Sequence, residues 1–121
     1  MPKSVLALGL DPTFVDFSAL PNLTPDLVRA FIDSQLERVR QNGYEVVSCL
    51  VDLGETAEAV TAKQLDSKSF DCVMIGAGLR DPKYLLLFER LLNLVHTKAP
   101  GAQVCFNTKP ADTLEAIQRW I

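Results

Sequence analysis

Four short apolar runs, each separated from the next by a stretch of helical periodicity, constrain this chain more than any other feature. The runs are Val5-Leu6-Ala7-Leu8-Gly9, Tyr44–Val51, Phe70-Asp71-Cys72-Val73-Met74-Ile75 and Ala102–Phe106. They read as continuous hydrocarbon, which is what strands covered on both faces look like. Thr24-Pro25-Asp26 opens the first helix with a hydroxyl at the N-cap, proline at the first helical position and an acid in the first turn. That helix is expected to reach Gln41-Asn42 and to stop at Gly43, with Val28, Phe31, Ile32, Leu36 and Val39 inward and Arg29, Asp33, Glu37 and Arg40 in solvent. A second helix is expected from Thr56 to about Lys68, a third from Asp81-Pro82 to about Thr97, and a fourth from Pro110 to Trp120.

Strands alternating with helices of this length build βαβ units and a parallel sheet. With right-handed crossovers the simplest strand order is 2-1-3-4. The first and fourth helices then cover one face, and the second and third the other. The expected architecture is a single α/β domain over residues 1–121, a three-layer, minimal flavodoxin-like sandwich. With 48% hydrophobic residues the chain can bury a core without a metal or a disulfide.

The net charge of −3, with lysines and arginines scattered, leaves no footprint for nucleic acid or an acidic membrane surface. No apolar run approaches the roughly 20 residues of a membrane span, and the start of the chain lacks a signal-peptide core. Three cysteines, an odd number, point to a reducing compartment, and a cytoplasmic location is expected. Cys49, Cys72 and Cys105 all fall in apolar runs and read as small buried hydrophobes. His96 stands alone near the end of the third helix, where a cation complements the helix dipole. No set of residues has metal-ligand spacing.

From Thr56 onward the chain resembles a response-regulator receiver domain. Ala57-Glu58-Ala59-Val60 leading into the third strand is similar to the receiver's second helix and third strand. Lys109-Pro110-Ala111-Asp112-Thr113-Leu114-Glu115-Ala116-Ile117 resembles its Lys-Pro junction and last helix. The resemblance covers about half the chain and implies the same layout. It does not imply phosphotransfer. Gly76 stands where a receiver has its phosphoacceptor aspartate, and where a receiver pairs two acids for a cation, only Asp11 is near, with Asp16 five residues on.

In an open parallel sheet, ligands bind beyond the carboxyl ends of the strands, where the strand order reverses. Here that place lies between strands one and three, and four segments meet there. Leu10 to Leu23 is long for a βα loop and rich in leucine and phenylalanine, and is either a plug over the sheet or a cover over a ligand. Gly76-Ala77-Gly78-Leu79-Arg80-Asp81 is either a glycine-rich turn or an anion site with Arg80 as its cation. Asn107-Thr108-Lys109-Pro110 either caps the last helix or offers Thr108 and Lys109 to a ligand. Asp52 and Glu55 lie after strand two, further away. The candidate ligand residues are therefore Asp11, Thr13, Gly76, Gly78, Arg80, Thr108 and Lys109.

The third helix carries two apolar stripes, Leu85-Phe88-Leu92-Val95 and Tyr84-Leu87-Leu91-Leu94, where a helix on a sheet needs one. Either a neighbouring helix buries the second stripe or a partner does. Tyr84, Leu87, Leu91 and Leu94 are the candidate homodimer interface, joined by Trp120 and Ile121 if those do not cap the core. The functional expectation is a non-catalytic, dimerising module that acts through protein contacts or a small anionic ligand. The alternative is a small-molecule enzyme or nucleotide-binding protein at the same crevice, with Asp11 as acid or base and Arg80 and Lys109 as anion binders. A flavin is the least supported ligand, because the first loop lacks a hydroxyl-rich phosphate turn.

Overall fold

The computed structural model describes residues 2–121, with Met1 outside the described residues. Four strands, β1 (Ser4–Leu10), β2 (Glu45–Val51), β3 (Cys72–Ile75) and β4 (Gln103–Phe106), form one all-parallel sheet of order β2-β1-β3-β4. The helices are α1 (Pro25–Gln41), α2 (Ala57–Ser67), α3 (Leu85–Lys98) and α4 (Thr113–Gln118). α1 packs beside α4, and α2 beside α3, so each face of the sheet carries two helices. This is the flavodoxin-like layout expected from the alternation of apolar runs.

Local chemistry sets the boundaries. The Thr24 hydroxyl accepts from the Leu27 N–H, Pro25 takes the first helical position, and Gly43, at φ +93°, ends the turn after α1. α3 and α4 start later than expected. Pro82–Tyr84 and Pro110–Asp112 each form a single tighter 3-10 turn ahead of their helix, and α4 stops at Gln118. β3 starts at Cys72, although Phe70 is already buried.

The sheet's side-chain alternation divides the core in two. Leu6, Leu8, Val73 and Ile75 point toward α2 and α3, where Leu87, Leu91 and Val95 meet them. Val5, Ala7, Cys72, Met74 and Cys105 point toward α1 and α4, where they meet Leu36, Val39 and Ile117. All three cysteines are buried and free. The Cys72 and Cys105 sulfurs lie 3.4 Å apart and share a thiol–thiol hydrogen bond. Cys72 sits opposite Gln103 and Cys105 opposite Met74. That diagonal puts their Cα atoms about 8 Å apart, beyond the reach of an unstrained disulfide. The bond to Cys105, together with burial, holds the Cys72 thiol far above its ordinary pKa.

Two expectations about helix faces are corrected here. Leu91 is 0% exposed and Leu87 is also buried, so neither has surface to offer a second copy. Tyr84 and Leu94 are half-buried against the same core. The cover on this stripe is α2. Arg90 pairs with Glu58 at 3.1 Å and Lys98 with Asp66 at 3.0 Å, and Leu94 lies between those two cations on the α2 side of α3. The outward residues belong to the other stripe and its neighbour: Leu85 is 59% and Leu86 72% exposed. Phe31 is also outward rather than in the core face of α1, and Arg29, expected in solvent, turns onto the first loop.

Candidate functional site

The carboxyl edge of the sheet opens into a trough on the α1/α4 face, with a volume of about 140 Å³. Three of its floor residues, Ala7, Gly9 and Gly76, are small. Ser48, Ala7 and Met74 stand opposite one another across β2, β1 and β3, and the next row holds Leu50 and Gly9. Gly76 follows on β3, and a methyl group added to it would lie 3.8 Å from the Cα of Gly9. Val28, Ile32 and Leu36 of α1 form the roof. Leu36 and Val39 are the buried residues of α1, while Val28 and Ile32 are half-buried, Ile32 packing against the same core.

The long first loop lies beside the trough. Its Pro12–Phe14 turn buries Pro12, and Pro12 and Val15 close one side of the trough. Phe14, Leu20 and Leu23 are exposed. Asp11 pins the loop: its Oδ1 accepts from the Thr13 N–H at 2.9 Å and from Arg29 Nη2 at 2.7 Å. Arg29 also donates to Thr13 Oγ1 at 3.2 Å and to Asp26 at 3.1 Å.

The Thr13 backbone N–H holds the Asp11 carboxyl below its ordinary pKa; burial opposes this, and the Thr13 side chain and Arg29 add to it. A depressed folded-state pKa makes a contribution that is fully present above the unfolded value and disappears as pH falls through the folded one. Acidification from about pH 5 to about pH 2 should therefore loosen the loop, lowering the melting temperature more in the wild-type chain than in Asp11→Asn. Thermal melts across that range check it. Equal losses in the two proteins would remove Asp11 from the tether.

At the opposite end the hub is Asn107, which the sequence did not single out. It is 4% exposed, and all three of its amide contacts are internal. Its Oδ1 accepts from the Ala77 N–H at 3.1 Å and from Arg80 Nη2 at 3.2 Å, and its Nδ2 donates to Thr113 Oγ1 at 3.1 Å. The Thr113 hydroxyl donates in turn to the Pro110 carbonyl at 2.7 Å. The signal available in the sequence was an amide directly after an apolar run, where a side chain can tie neighbouring loops.

The expected anion site is not assembled. Arg80 turns back onto the sheet: Nε donates to the Ile75 carbonyl at 3.2 Å, Nη2 donates to the Asn107 carbonyl, and the guanidinium stacks 5.1 Å from the Phe106 ring. Burial pulls its pKa below the usual value, against the pull of Asp112. Thr108 donates both its N–H, at 2.9 Å, and its hydroxyl to Asp112, and the Lys109 N–H joins them at 3.3 Å. These residues cap the last turn, with the Lys109 side chain exposed. Gly76 and Gly78 do line the trough, as backbone that leaves room. Asp11 and Thr13 sit together at the rim, engaged with Arg29. Asp52 accepts from the N–H of Gly54 and from the N–H and hydroxyl of Thr56, so it holds the loop into α2.

Among the described residues no three His, Cys, Asp or Glu side chains converge as a metal-ligand set. No described helix is long and apolar enough to cross a membrane. No protein-family model and no curated protein matches the chain.

Proposed function

We propose that the chain is a non-catalytic binding module that takes an uncharged, apolar group into the trough at the carboxyl edge of its sheet. The observation that carries this reading is the contrast between the trough and its rim. Apart from Ser48, floor and roof are apolar side chains and glycine, whereas around them Arg80 already bonds Asn107, Thr108 bonds Asp112 and Arg29 bonds Asp11. An anion would have to draw Arg80 away from two carbonyls and an aromatic ring. An acid–base enzyme would have to free Asp11 from Arg29, and a carboxylate held below its ordinary pKa is a poor base near neutrality. The likeness to receivers supports the layout alone, since the phosphoacceptor position holds Gly76, part of the floor.

The volume favours a small occupant. A cavity of about 150 Å³ lined by hydrocarbon holds one benzene, and nucleotide-sized ligands need several hundred. An NMR titration with benzene and, separately, inorganic phosphate tests the reading. Benzene should move the methyl signals of Ile32, Leu50 and Met74, and phosphate should leave the amides of Gly76 to Asp81 in place. Phosphate shifts at those amides, with benzene silent, would return the site to the anion reading.

The homodimer expected from the sequence is part of this proposal, but on a different surface. Leu85 and Leu86 are outward at the start of α3, and Phe106 is 38% exposed nearby, against Phe88. Two copies related by a two-fold axis cover these side chains with each other.

A further inference from the structure

Three sulfur side chains fall on one face of the sheet. Cys72 and Met74 alternate with Val73 on β3 and so point to the same side, and Cys105 stands opposite Met74 on β4. All three are buried in the core beneath α1 and α4, and the two thiol sulfurs are 3.4 Å apart. A disulfide does not close across that diagonal without strain, so the pair stays as two thiols. Cys49 belongs to the core on the other face. We infer that Cys72, Cys105 and Met74 together bind one soft, monovalent cation of the copper(I) class, a site separate from whatever fills the trough.

Ligand chemistry selects the cation. Thiol and thioether sulfur favour soft metals. Zinc also takes thiolates, but its structural sites use four ligands, and among the described residues no three His, Cys, Asp or Glu converge to supply them. A monovalent cation with a filled d shell is satisfied by two or three sulfurs. With metal–sulfur bonds of about 2.3 Å, two sulfurs stand about 4.6 Å apart across a straight site and about 4.0 Å apart in a trigonal one. The trigonal arrangement asks the two thiols to part by only about 0.6 Å from their 3.4 Å, less than a side-chain rotation of about 30° supplies. Met74 is the third ligand, and its rotatable thioether adjusts to the cation. Charge balances as well. The hydrogen bond with Cys72 pulls the Cys105 thiol below its ordinary pKa; burial opposes this, and Arg119 adds to it. Cys105 gives its proton to solvent and its sulfur bonds the cation, while Cys72 coordinates as a thiol and Met74 as a thioether. One proton leaves as one positive charge enters, so the core gains no net charge, which would be costly to bury.

Silver(I), which keeps its oxidation state in air, is the probe on the intact chain. Native mass spectrometry with silver(I) and glutathione at equal concentration should show one silver retained per chain. In NMR the β-protons of Cys72 and Cys105 and the methyl of Met74 should shift, and the β-protons of Cys49 should not. Cys105→Ala should weaken retention by more than about a hundredfold, beyond the roughly 10–100-fold cost of losing a ligand's hydrogen-bond partner. Met74→Leu, nearly equal in volume, should weaken it about tenfold, and Cys49→Ala should leave it unchanged. If Cys105→Ala does not fold, the Met74→Leu comparison and the NMR shifts decide. No silver held by the wild-type chain against glutathione would overturn the site. Retention lost in Cys49→Ala but kept in Cys105→Ala would do the same, by placing the cation on a lone thiol. Equal retention by the wild-type chain and Met74→Leu would overturn the three-sulfur assignment.

Discussion

Leu91→Ala should lower the stability of the fold by about 3 kcal/mol, within the range of roughly 2–5 measured when a buried leucine is truncated. Leu91 is wholly buried in the core between the sheet and α3, with Leu87 and Val95 one turn to either side. A domain of this kind is stable by about 5–15 kcal/mol, so the loss is a large share of the total. In urea the midpoint should fall with an unchanged slope, because the surface exposed on unfolding stays nearly the same. Leu91→Asp should not fold at all, since it buries a carboxylate without a partner. Leu86→Lys, on the most exposed leucine of the helix, should change stability by no more than about 0.5 kcal/mol. In sedimentation it should leave a folded monomer where the wild-type chain, as proposed, is a dimer. The opposite pattern, a folded monomer from Leu91→Asp and no change from Leu86→Lys, would restore the Leu87–Leu91 stripe as the interface.

Asn107→Leu should cost a similar amount for a different reason. Its amide joins the turn after β3, the end of β4 and the start of α4. Replacing it with hydrocarbon of about the same volume strips a partner from the Ala77 N–H and from Arg80, and strips a donor from the Thr113 hydroxyl. Each buried polar group left without a partner costs about 1–3 kcal/mol, and Arg80 keeps its two carbonyls, so a total near 3 kcal/mol is expected. Asn107→Asp keeps the acceptor for Ala77 and Arg80 and loses only the donor to Thr113, so it should be milder. Urea unfolding of the two variants, with amide exchange at Ala77, checks this. If Asn107→Asp proved as damaging as Asn107→Leu, the weight would lie on the Thr113 bond rather than on the acceptor.

How far the sequence could be read depended on whether a feature was local. The strand order followed from apolar runs whose lengths and separations admit few parallel topologies, and the first helix followed from Thr24, Pro25 and Gly43, each acting within a turn. The site lay at the switch point because topology alone puts it there. The direction of long side chains was not legible. Arg80 reads as an anion binder beside two glycines, until a carbonyl and an amide 27 positions later in the chain turn it inward. Arg29 reads as a solvent residue on α1, until Asp11, 18 positions earlier, takes it. The stripes of α3 have equal periodicity, and nothing local says which one meets the sheet. In the fold Leu87, Leu91 and Val95 take the inward side, flanked by Phe88 against Phe106 and by the Arg90 and Lys98 ion pairs to α2. The trough was invisible for a related reason: it is made of what Ala7, Gly9 and Gly76 lack.

The most direct test of the apolar trough is an intermolecular NOE experiment on the protein with bound benzene. The ring protons should lie against the methyl groups of Ile32, Leu50 and Met74. Contacts confined to Leu85, Leu86 or Trp120 on the outer surface, or to Arg80 and Asp81 with the trough silent, would contradict it.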